Sequence, residues 1–409
     1  MSLDLVTGDE LVAHADELRP RLVELQAETE ARTYYSEEIH QAFLDARFYD
    51  VLVPKRYGGL ELDLGTFWRL GMALARGCPS TAWCLCLPAG HALQTGMLFP
   101  EDVQAELFGG LYICPAVAAP AGSAKRVEGG WELTSTHPYS SGAPYATHYM
   151  GQTFAAPEQE GGAPQMLLFV APRESWTMLD DWGDTLGLKG SGSHSIRFEQ
   201  AFVPERFVLE NTWLVDTEVA GTPGAAIHGN PMYAGRTLAY FEGSLAAIMI
   251  GAAKGALDEY EQLLRTRKTQ RPPIVTRNQD PDYQRWYGLA VGRVGAAEAI
   301  LLQVAEQWHE ACRRSVEDGV PFTREEDLRL NMVAREALTL AWEAMQGQIF
   351  RTAGSSAARA GQRIERIFRD MSIGWGHFGQ IVRDWTAREW SREHFGLVDE
   401  VLKPERLHR

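Results

Sequence analysis

The order of helical and strand-like patterns along the chain is the feature that most restricts its fold. Up to about residue 110, leucines recur at near-helical spacing, as Leu11, Leu18, Leu22 and Leu25 do. From about 111 to 215, short apolar runs alternate with Gly, Pro and Ser, which is typical of strands joined by turns. From about 235 onward the helical spacing returns. The sequence therefore predicts an α+β fold, mainly α, in which a β domain lies between two helical regions.

Three stretches of the central segment predict strands. "GGWELTST" alternates Trp131 and Leu133 with polar residues, and "HSIRFEQAFVP" alternates Ile196 and Phe198 in the same way. "QMLLFVAP" is a short apolar run of strand length. Several strands at this spacing indicate a small β-sandwich or a barrel-like domain.

The last segment predicts a helical bundle. One of its helices carries an apolar seam formed by Ala297, Leu301, Val304, Trp308 and Ala311. The stretch "TREE" predicts a capping box from Thr323 to Glu326 at the start of the next helix. Nearer the N-terminus, Ser80 or Thr81 is the predicted cap of the helix that contains "STAWCLCLPAGHALQ".

Length and charge limit the possible partners. At 409 residues the chain is long enough for several subdomains, and we divide it into an N-terminal helical domain (1–110), a central β domain (111–215) and a C-terminal helical bundle (216–409). The net charge of −15 argues against nucleic acid and against an anionic membrane surface. The start lacks a signal-peptide pattern, and five cysteines do not indicate a disulfide framework. We therefore expect a cytoplasmic protein with neither a nucleic-acid nor a membrane partner.

Common nucleotide and metal motifs are absent from the sequence. There is no G-x-x-x-x-G-K-[ST] and no G-x-G-x-x-G between a strand and a helix, and "GLKGSGSHS" precedes a strand. His309 and Cys312 lie three residues apart without a second pair of ligands, so we expect a polar helix face there and no metal site.

Three groups of residues could form a site, although each also has an ordinary structural interpretation. In "YSSG", Ser140, Ser141 and Gly142 could bind the polar edge of a flat heterocycle, or could form a surface turn. His91 is either a pocket residue or a core histidine. The aromatic residues that could line a pocket, or could pack in the core, are Trp83, Phe241 and Trp375.

The segment "RDMSIGWGHFGQ" places three glycines around His377. Glycine inside a helix costs roughly 1 kcal/mol relative to alanine, so a compensating role is expected. The segment is either a helix end with a stray histidine or a place where Gly374 and Gly376 leave room for a ligand beside His377.

Taken together, the stretches resemble the acyl-CoA dehydrogenase fold over nearly the whole chain. The stretches that carry the resemblance are "VLVPKRYGGLEL", "GLKGSGSHSIRFEQAFVPERFVL" and "GQRIERIFRDM". The resemblance implies an N-terminal helical domain, a central β domain, a C-terminal four-helix bundle and a homotetramer. Many dehydrogenases of this fold have a glutamate shortly after the Arg-Asp pair, whereas here none follows before Glu389. Glu242 is the alternative position for such a base.

The site segments are instead similar to the two-component, group D flavin-dependent monooxygenases of this fold. These include hydroxylases of 4-hydroxyphenylacetate and of steroid-derived phenols, dibenzothiophene oxygenase and amino-sugar N-oxygenases. Their pattern R-D-x-x-x-x-x-x-H matches Arg369 to His377, which implies that His377 is an active-site histidine. Their S-T-x-W…H pattern matches "STAWCLCLPAGH", which gives His91 the same kind of role.

The same resemblance implies which residues contact the cofactor. "YSSG" resembles the family's F-S-S-G turn, and "GLKGSGS" resembles its G-L-R-G-T-G-S loop with mild departures at Lys189 and Ser191. The implied flavin contacts are Ser140, Ser141, Gly142, Ser191, Ser193 and Arg369. Within this set, Ser141 is implied to lie at flavin N5 and to act in catalysis.

The resemblance implies the following reaction. A separate reductase supplies reduced FMN or FAD, which reacts with O₂ to a C4a-hydroperoxyflavin that hydroxylates a small substrate, either aromatic and phenolic or an amine. An acyl-CoA dehydrogenase-like flavoenzyme is the alternative. A DNA-binding relative of the fold is a third possibility, which the acidic charge disfavours. The sequence leaves open the substrate, the choice of C-, N- or S-oxygenation, and FMN versus FAD.

Overall fold

The computed structural model describes residues 6–155, 164–217, 221–377, 379 and 382–397. Five helices precede the sheet: α1 (Gly8–Arg32), α2 (Glu37–Asp45), α3 (Leu64–Gly77), α4 (Pro79–Leu98) and α5 (Glu101–Leu107). After the sheet come α6 (Gly224–His228), α7 (Leu238–Thr266), α8 (Pro281–Glu317), α9 (Arg324–Glu343), α10 (Arg351–Ala353), α11 (Arg363–Trp375) and α12 (Arg383–His394). A π-helical turn, Ala344–Phe350, joins α9 to α10.

Helix α4 runs through the middle of the molecule and is buried along nearly its whole length. The prediction that Ser80 or Thr81 caps this helix is wrong, because the N-cap position is Cys78 and no side chain caps it. Proline at the first helical position needs no N–H partner, which lessens the need for a cap. The Ser80 hydroxyl instead donates to Asp370 Oδ2 at 3.1 Å.

One seven-stranded sheet forms the centre of the chain. Its strands are β1 (Ser123–Val127), β2 (Gly130–His137), β3 (His148–Ala155), β4 (Gln165–Pro172), β5 (Thr177–Met178), β6 (Ile196–Pro204) and β7 (Val208–Glu210). Their order is β5-β6-β2-β1-β3-β4-β7, with β1 and β3 parallel and the other pairs antiparallel. The three predicted strands are confirmed as β2, β4 and β6.

The sheet curls over on itself. Phe169 on β4 and Phe198 on β6 meet with ring centroids 5.4 Å apart, although four steps separate their strands in the sheet order. This contact requires the two ends of the sheet to face each other, which matches the barrel-like alternative of the sequence prediction better than two separate sheets.

The bundle helices pack as their sequence predicts. Every member of the predicted seam on α8 is buried, and both halves of the Thr323–Glu326 capping box form. Helix α3 packs closely against α7, since a Cβ at Gly243 would lie 2.1 Å from the Trp68 ring. One hydrophobic core joins the helices at both ends of the chain to the sheet. The α+β, mainly α, fold class is confirmed, and the three domain boundaries stay predictions.

Candidate active site

A line of hydrogen-bonded hydroxyls connects two turns beside helix α4. Trp83 Nε1 donates to Ser141 Oγ at 3.0 Å, Ser141 Oγ lies 2.8 Å from Ser193 Oγ, and Ser193 Oγ lies 2.6 Å from Ser191 Oγ. The backbone N–H of Gly142 donates to the Ser191 carbonyl at 3.1 Å, which holds the two turns together. The structure thus brings together four residues from three segments that lie far apart in sequence.

This hydroxyl line has one proton more than it can use internally. Three hydroxyls carry three protons, and the two bonds between them use two. Trp83 already fills one acceptor position on Ser141. Of the three serines, Ser141 is the most accessible, at 8% exposed. The line can therefore donate one hydrogen bond outward from Ser141 to an acceptor that is not part of the described chain.

Glycine is required where these turns meet α4. Gly142 has φ +84°, and a Cβ there would lie 2.6 Å from the Cys84 carbonyl oxygen. Gly192 has φ +59°, and a Cβ there would lie 2.9 Å from Pro144 Cδ. Both positions combine a left-handed backbone with close contact, so larger residues would push the hydroxyl line away from α4.

Two predicted cofactor contacts have protein partners instead. The Ser140 hydroxyl donates its proton to the His137 carbonyl at 2.9 Å, so it has no proton left to donate to a ligand. Arg369 binds Glu30 and Glu365 and donates to the Leu186 carbonyl at 3.0 Å. These bonds tie α11 to α1 and to the loop before Leu188, which is a structural role for this guanidinium.

His377 lies at the end of α11 against the Trp83 ring, with centroids 5.5 Å apart. The Gly379 N–H donates to His377 Nδ1 at 3.1 Å. Burial, and then the positive charge of Arg335, lower the pKa of His377 to about 4. The ring is therefore neutral at physiological pH. Because Nδ1 accepts a hydrogen bond, the proton of the neutral ring is on Nε2, and His377 is a hydrogen-bond donor there.

His91 has the opposite arrangement. It lies two turns after Trp83 on α4, next to the ring of Phe241 at 6.0 Å. Its Nδ1 is 2.8 Å from the Cys114 carbonyl, which can only accept, so Nδ1 carries the proton. Burial lowers the pKa of His91 to about 4. Nε2 of the neutral ring therefore has a free lone pair and acts as an acceptor.

A buried ion pair lies next to His377. Glu242 on α7 pairs with Arg335 on α9, and both side chains are 2% exposed. A Cβ at Gly379 would lie 3.3 Å from Glu242 Oε2 and 3.4 Å from His377 Nδ1, so this glycine permits their close approach. Burial raises the pKa of Glu242, while Arg335 opposes that change.

From the sequence, Glu242 was identified only as the alternative position for a dehydrogenase base, and Arg335 was not identified as a site residue. A signal was available, because Arg335 occupies a position in the buried stripe of α9. That stripe consists of Leu328, Asn331, Arg335, Leu338 and Trp342. A charged residue in an apolar stripe needs a buried partner, and the structure supplies Glu242.

Trp375 and Gly374 do not have their predicted surroundings. Trp375 stacks on Trp342, with centroids 5.8 Å apart and an interplanar angle of 14°, between α11 and α9. A Cβ at Gly374 would lie 2.6 Å from Met249 Sδ, so this glycine lets α11 pack on α7 and does not leave room for a ligand. Among the described residues, the His377 ring contacts Trp83 and the Gly379 N–H, and the His377 N–H donates to the Gly374 carbonyl at 3.3 Å.

Of the polar face predicted at His309 and Cys312, only His309 is partly exposed. His309 Nε2 accepts from the Leu64 N–H at 2.9 Å, and Cys312 is buried. In the part of the chain that the structure describes, no group of three or more His, Cys, Asp or Glu side chains is arranged to hold a metal ion.

Comparisons with known proteins identify the family. The family model of the acyl-CoA dehydrogenase C-terminal domain matches residues 244–380. The pigment production hydroxylase of a Rhodococcus species is 30% identical over 372 residues, which cover 90% of this chain and 92% of the relative. The oxygenase component of p-hydroxyphenylacetate 3-hydroxylase from Acinetobacter baumannii is 24% identical over 413 residues, covering 96% and 90%.

Solved structures share the fold. XiaF from a Streptomyces species, in complex with FADH2 and glycerol, superposes with a TM-score of 0.85 at 23% identity, covering 97% of each chain. The 3-HSA hydroxylase from a Rhodococcus species gives 0.83 at 23% identity, covering 95% of this chain and 97% of the other. The chain belongs to the flavin-dependent monooxygenases that have the acyl-CoA dehydrogenase fold. It is the oxygenase of a two-component system, which uses O₂ and a reduced flavin made by a separate reductase.

The residues present fit a reduced flavin. The flavin ring offers acceptor atoms along its polar edge, and the hydroxyl line has one proton beyond those its two internal bonds use, which it can donate from Ser141, its most accessible serine. Trp83 fixes the orientation of that hydroxyl by filling one of its acceptor positions. The dehydrogenase alternative has no such support, because its one candidate base, Glu242, is bound to Arg335.

Proposed function

We propose that this oxygenase hydroxylates a small phenolic or related aromatic substrate held between His91 and His377. The observation that carries this proposal is the opposite tautomers of the two histidines. His91 offers an acceptor at Nε2 and His377 a donor at Nε2, and both rings are neutral at physiological pH. The names of two relatives, p-hydroxyphenylacetate 3-hydroxylase and resorcinol hydroxylase, support a phenolic substrate.

In this proposal the two histidines divide the work. When bound, the reduced flavin supplies the two electrons that reduce O₂, so that one oxygen atom enters the substrate and the other leaves as water. His91 Nε2 accepts a hydrogen bond from the phenolic O–H, which raises the electron density on the ring carbon that receives oxygen. His377 Nε2–H donates to oxygen where negative charge develops. The Cys114 carbonyl and the Gly379 N–H keep the two rings in these tautomers.

The hydroxyl line is proposed to hold the flavin through Ser141. Ser141→Ala removes the outward donor, and we expect reduced flavin to bind about 2- to 10-fold more weakly, which corresponds to one neutral hydrogen bond. Anaerobic titration of reduced flavin into the protein measures this affinity. Ser140→Ala is the matched control, because its hydroxyl donates to the His137 carbonyl and its loss should leave flavin affinity unchanged. Equal effects of the two variants would contradict the role of Ser141.

An oxygenation assay tests the proposed function directly. The protein, limiting reduced FMN or FAD, and O₂ are mixed with a panel of simple phenols, anilines and thiophenes, and products are identified by mass spectrometry with ¹⁸O₂. We expect one ¹⁸O atom to appear in a phenol-derived product. Incorporation only into the amine or the sulfur compound would replace the phenolic assignment, and transfer of electrons from an acyl-CoA to bound flavin would overturn it.

We also propose a cytoplasmic homotetramer assembled through the bundle. By length and composition alone, helix α8 could cross a membrane. Within the protein, only a third of the residues in its most apolar 18-residue stretch are buried. Between residues 288 and 299 the exposed residues of α8 are apolar or small: Gly288, Leu289, Val291, Gly292, Gly295, Ala296 and Ala299. A second bundle against this face would cover them. Helix α12 instead forms ion pairs within the chain, Arg383–Glu336 and His394–Glu325.

A further inference from the structure

The loop that carries Ser191 and Ser193 rests on the backbone of α11. A Cβ at Gly187 would lie 2.1 Å from the Arg369 carbonyl oxygen and 2.5 Å from the Asp370 nitrogen, so the contact is backbone against backbone. The next residue, Leu188, has φ +51°, a left-handed conformation that a leucine adopts only when its surroundings hold it there.

The carboxyl group of Asp370 supplies that restraint. Asp370 is 1% exposed, and its Oδ1 accepts from the Leu188 N–H at 2.6 Å. Its Oδ2 accepts from the Ser80 hydroxyl at 3.1 Å. One side chain on α11 therefore binds both the loop and the first turn of α4, which also carries Trp83.

The restraint at Leu188 continues to the hydroxyl line. The Leu188 carbonyl accepts from the Ser191 N–H at 3.0 Å, which closes the turn, and also from Trp182 Nε1 at 3.1 Å. The turn then places Ser191 Oγ within 2.6 Å of Ser193 Oγ. Asp370, Leu188 and Ser191 thus form a continuous series of contacts that ends at the proposed flavin site.

We propose that Asp370 is a positioning residue of this oxygenase: its carboxyl group holds Leu188 in the left-handed conformation and so aligns the hydroxyls of Ser191 and Ser193 with Ser141. The effect on flavin binding rests on the proposed function of the hydroxyl line. The alignment of the loop is a property of the flavin-free protein and can be measured without the cofactor.

The surroundings of Asp370 make its contribution to the stability of the folded protein depend on pH. Burial and the nearby Glu30 on α1 raise the pKa of Asp370 to about 7. The hydrogen bonds from Leu188 and Ser80 and the charge of Arg369 lower it, but by less. The Cys78 thiol at the start of α4, and Arg366 on α11, which pairs with Glu30, complete the titratable and charged surroundings. Because the folded pKa lies above the unfolded value of about 3.9, the charged form costs stability above about pH 7, and this cost fades as the pH falls towards 4.

Two variants separate the positioning role from simple packing. Asp370→Leu keeps the branched shape of the side chain but removes both acceptors, whereas Asp370→Asn keeps an oxygen for the Leu188 N–H and an N–H₂ for the Ser80 hydroxyl. Hydrogen–deuterium exchange of the flavin-free protein is followed for peptides spanning 186–194, with β3 peptides as the internal reference. We expect at least tenfold faster exchange at the loop for Asp370→Leu, unchanged exchange at β3, and exchange within about twofold of wild type for Asp370→Asn.

Two further measurements complete the test. In anaerobic titrations, Asp370→Leu should bind reduced flavin at least threefold more weakly, and Asp370→Asn should bind as wild type does. The thermal midpoint of Asp370→Asn minus that of wild type should rise from pH 5 to pH 8, since asparagine cannot carry the charge. If Asp370→Leu does not fold, the asparagine variant alone decides, and fast loop exchange in it would overturn the proposal.

The remaining outcomes are equally decisive. Wild-type loop exchange in a folded Asp370→Leu protein would refute the positioning role. Faster loop exchange with unchanged flavin affinity would support the restraint on Leu188 but overturn the link to flavin, and with it the proposed role of the hydroxyl line. That result would be distinct from a failure of the oxygenation assay, which uses the wild-type protein.

Discussion

Replacing Arg335 with methionine should lower the free energy of unfolding by about 3–5 kcal/mol, the cost of leaving a buried carboxylate without its partner. Glu242 is 2% exposed, and among the described residues its carboxyl group bonds only to Arg335. Methionine fills the volume but donates no hydrogen bond. Chemical denaturation of the purified variant, followed by tryptophan fluorescence, measures the change.

The double variant Arg335→Met with Glu242→Met is the informative comparison. Glu242 Oε1 and two nitrogens of Arg335 have no hydrogen-bond partner among the described residues, so the pair is incompletely satisfied there. Removing both charges should therefore restore stability to the wild-type level or above it. Arg383→Met breaks an exposed pair with Glu336 and should cost less than about 1 kcal/mol. A double variant as unstable as the single one would show that lost packing, not the unpaired charge, causes the effect.

His377→Ala should fold, yet yield at least about tenfold less product per O₂ consumed, with hydrogen peroxide making up the difference. A hydrogen bond to a charged group contributes about 1.5–3 kcal/mol, which corresponds to a factor of roughly 10–100. Alanine removes the Nε2–H donor that the proposal assigns to developing negative charge. Product, peroxide and O₂ are measured together, with oxygenase in excess over reduced flavin so that free flavin contributes little peroxide.

His377→Gln provides the matched control, because its amide retains an N–H donor and should recover part of the coupling. In the wild type, coupling should stay constant between about pH 6 and pH 8, because the pKa of about 4 keeps the ring neutral throughout. Coupling that falls as the pH rises through this range would indicate that the imidazolium, not the neutral ring, is the donor. Unchanged coupling in His377→Ala would remove His377 from the reaction.

Local patterns in the sequence predicted the elements of the fold well. The alternation in "GGWELTST" and "HSIRFEQAFVP" identified β2 and β6, and the apolar seam of α8 is buried as its spacing predicts. These predictions succeed because neighbouring residues alone decide which face of a helix or strand is apolar. The predicted Ser80 cap is wrong because it depends on more than neighbouring residues. The Ser80 hydroxyl bonds to Asp370, which is 290 residues away in the sequence.

The residues of the candidate site could be predicted only in part from the sequence. The resemblance brought His91, His377, Ser141 and Ser193 together as expectations, and the hydroxyl line contains two of them with Trp83 and Ser191. Trp375 looked equally suitable, because it lies two positions before His377. At a helix end, a separation of two places side chains in different directions, so one ring meets Trp342 and the other Trp83.

By itself the sequence determined the order of helices, strands and bundle, and, through "YSSG", "GLKGSGS" and the R-D…H spacing, the class of cofactor chemistry. These features are local or are carried by short motifs. Only the tertiary structure decided the tautomers of the two histidines, the pairing of Arg335 with Glu242, and the place of Asp370 beneath the serine loop. Each of these depends on hydrogen bonds whose partners and directions exist only after the chain has folded.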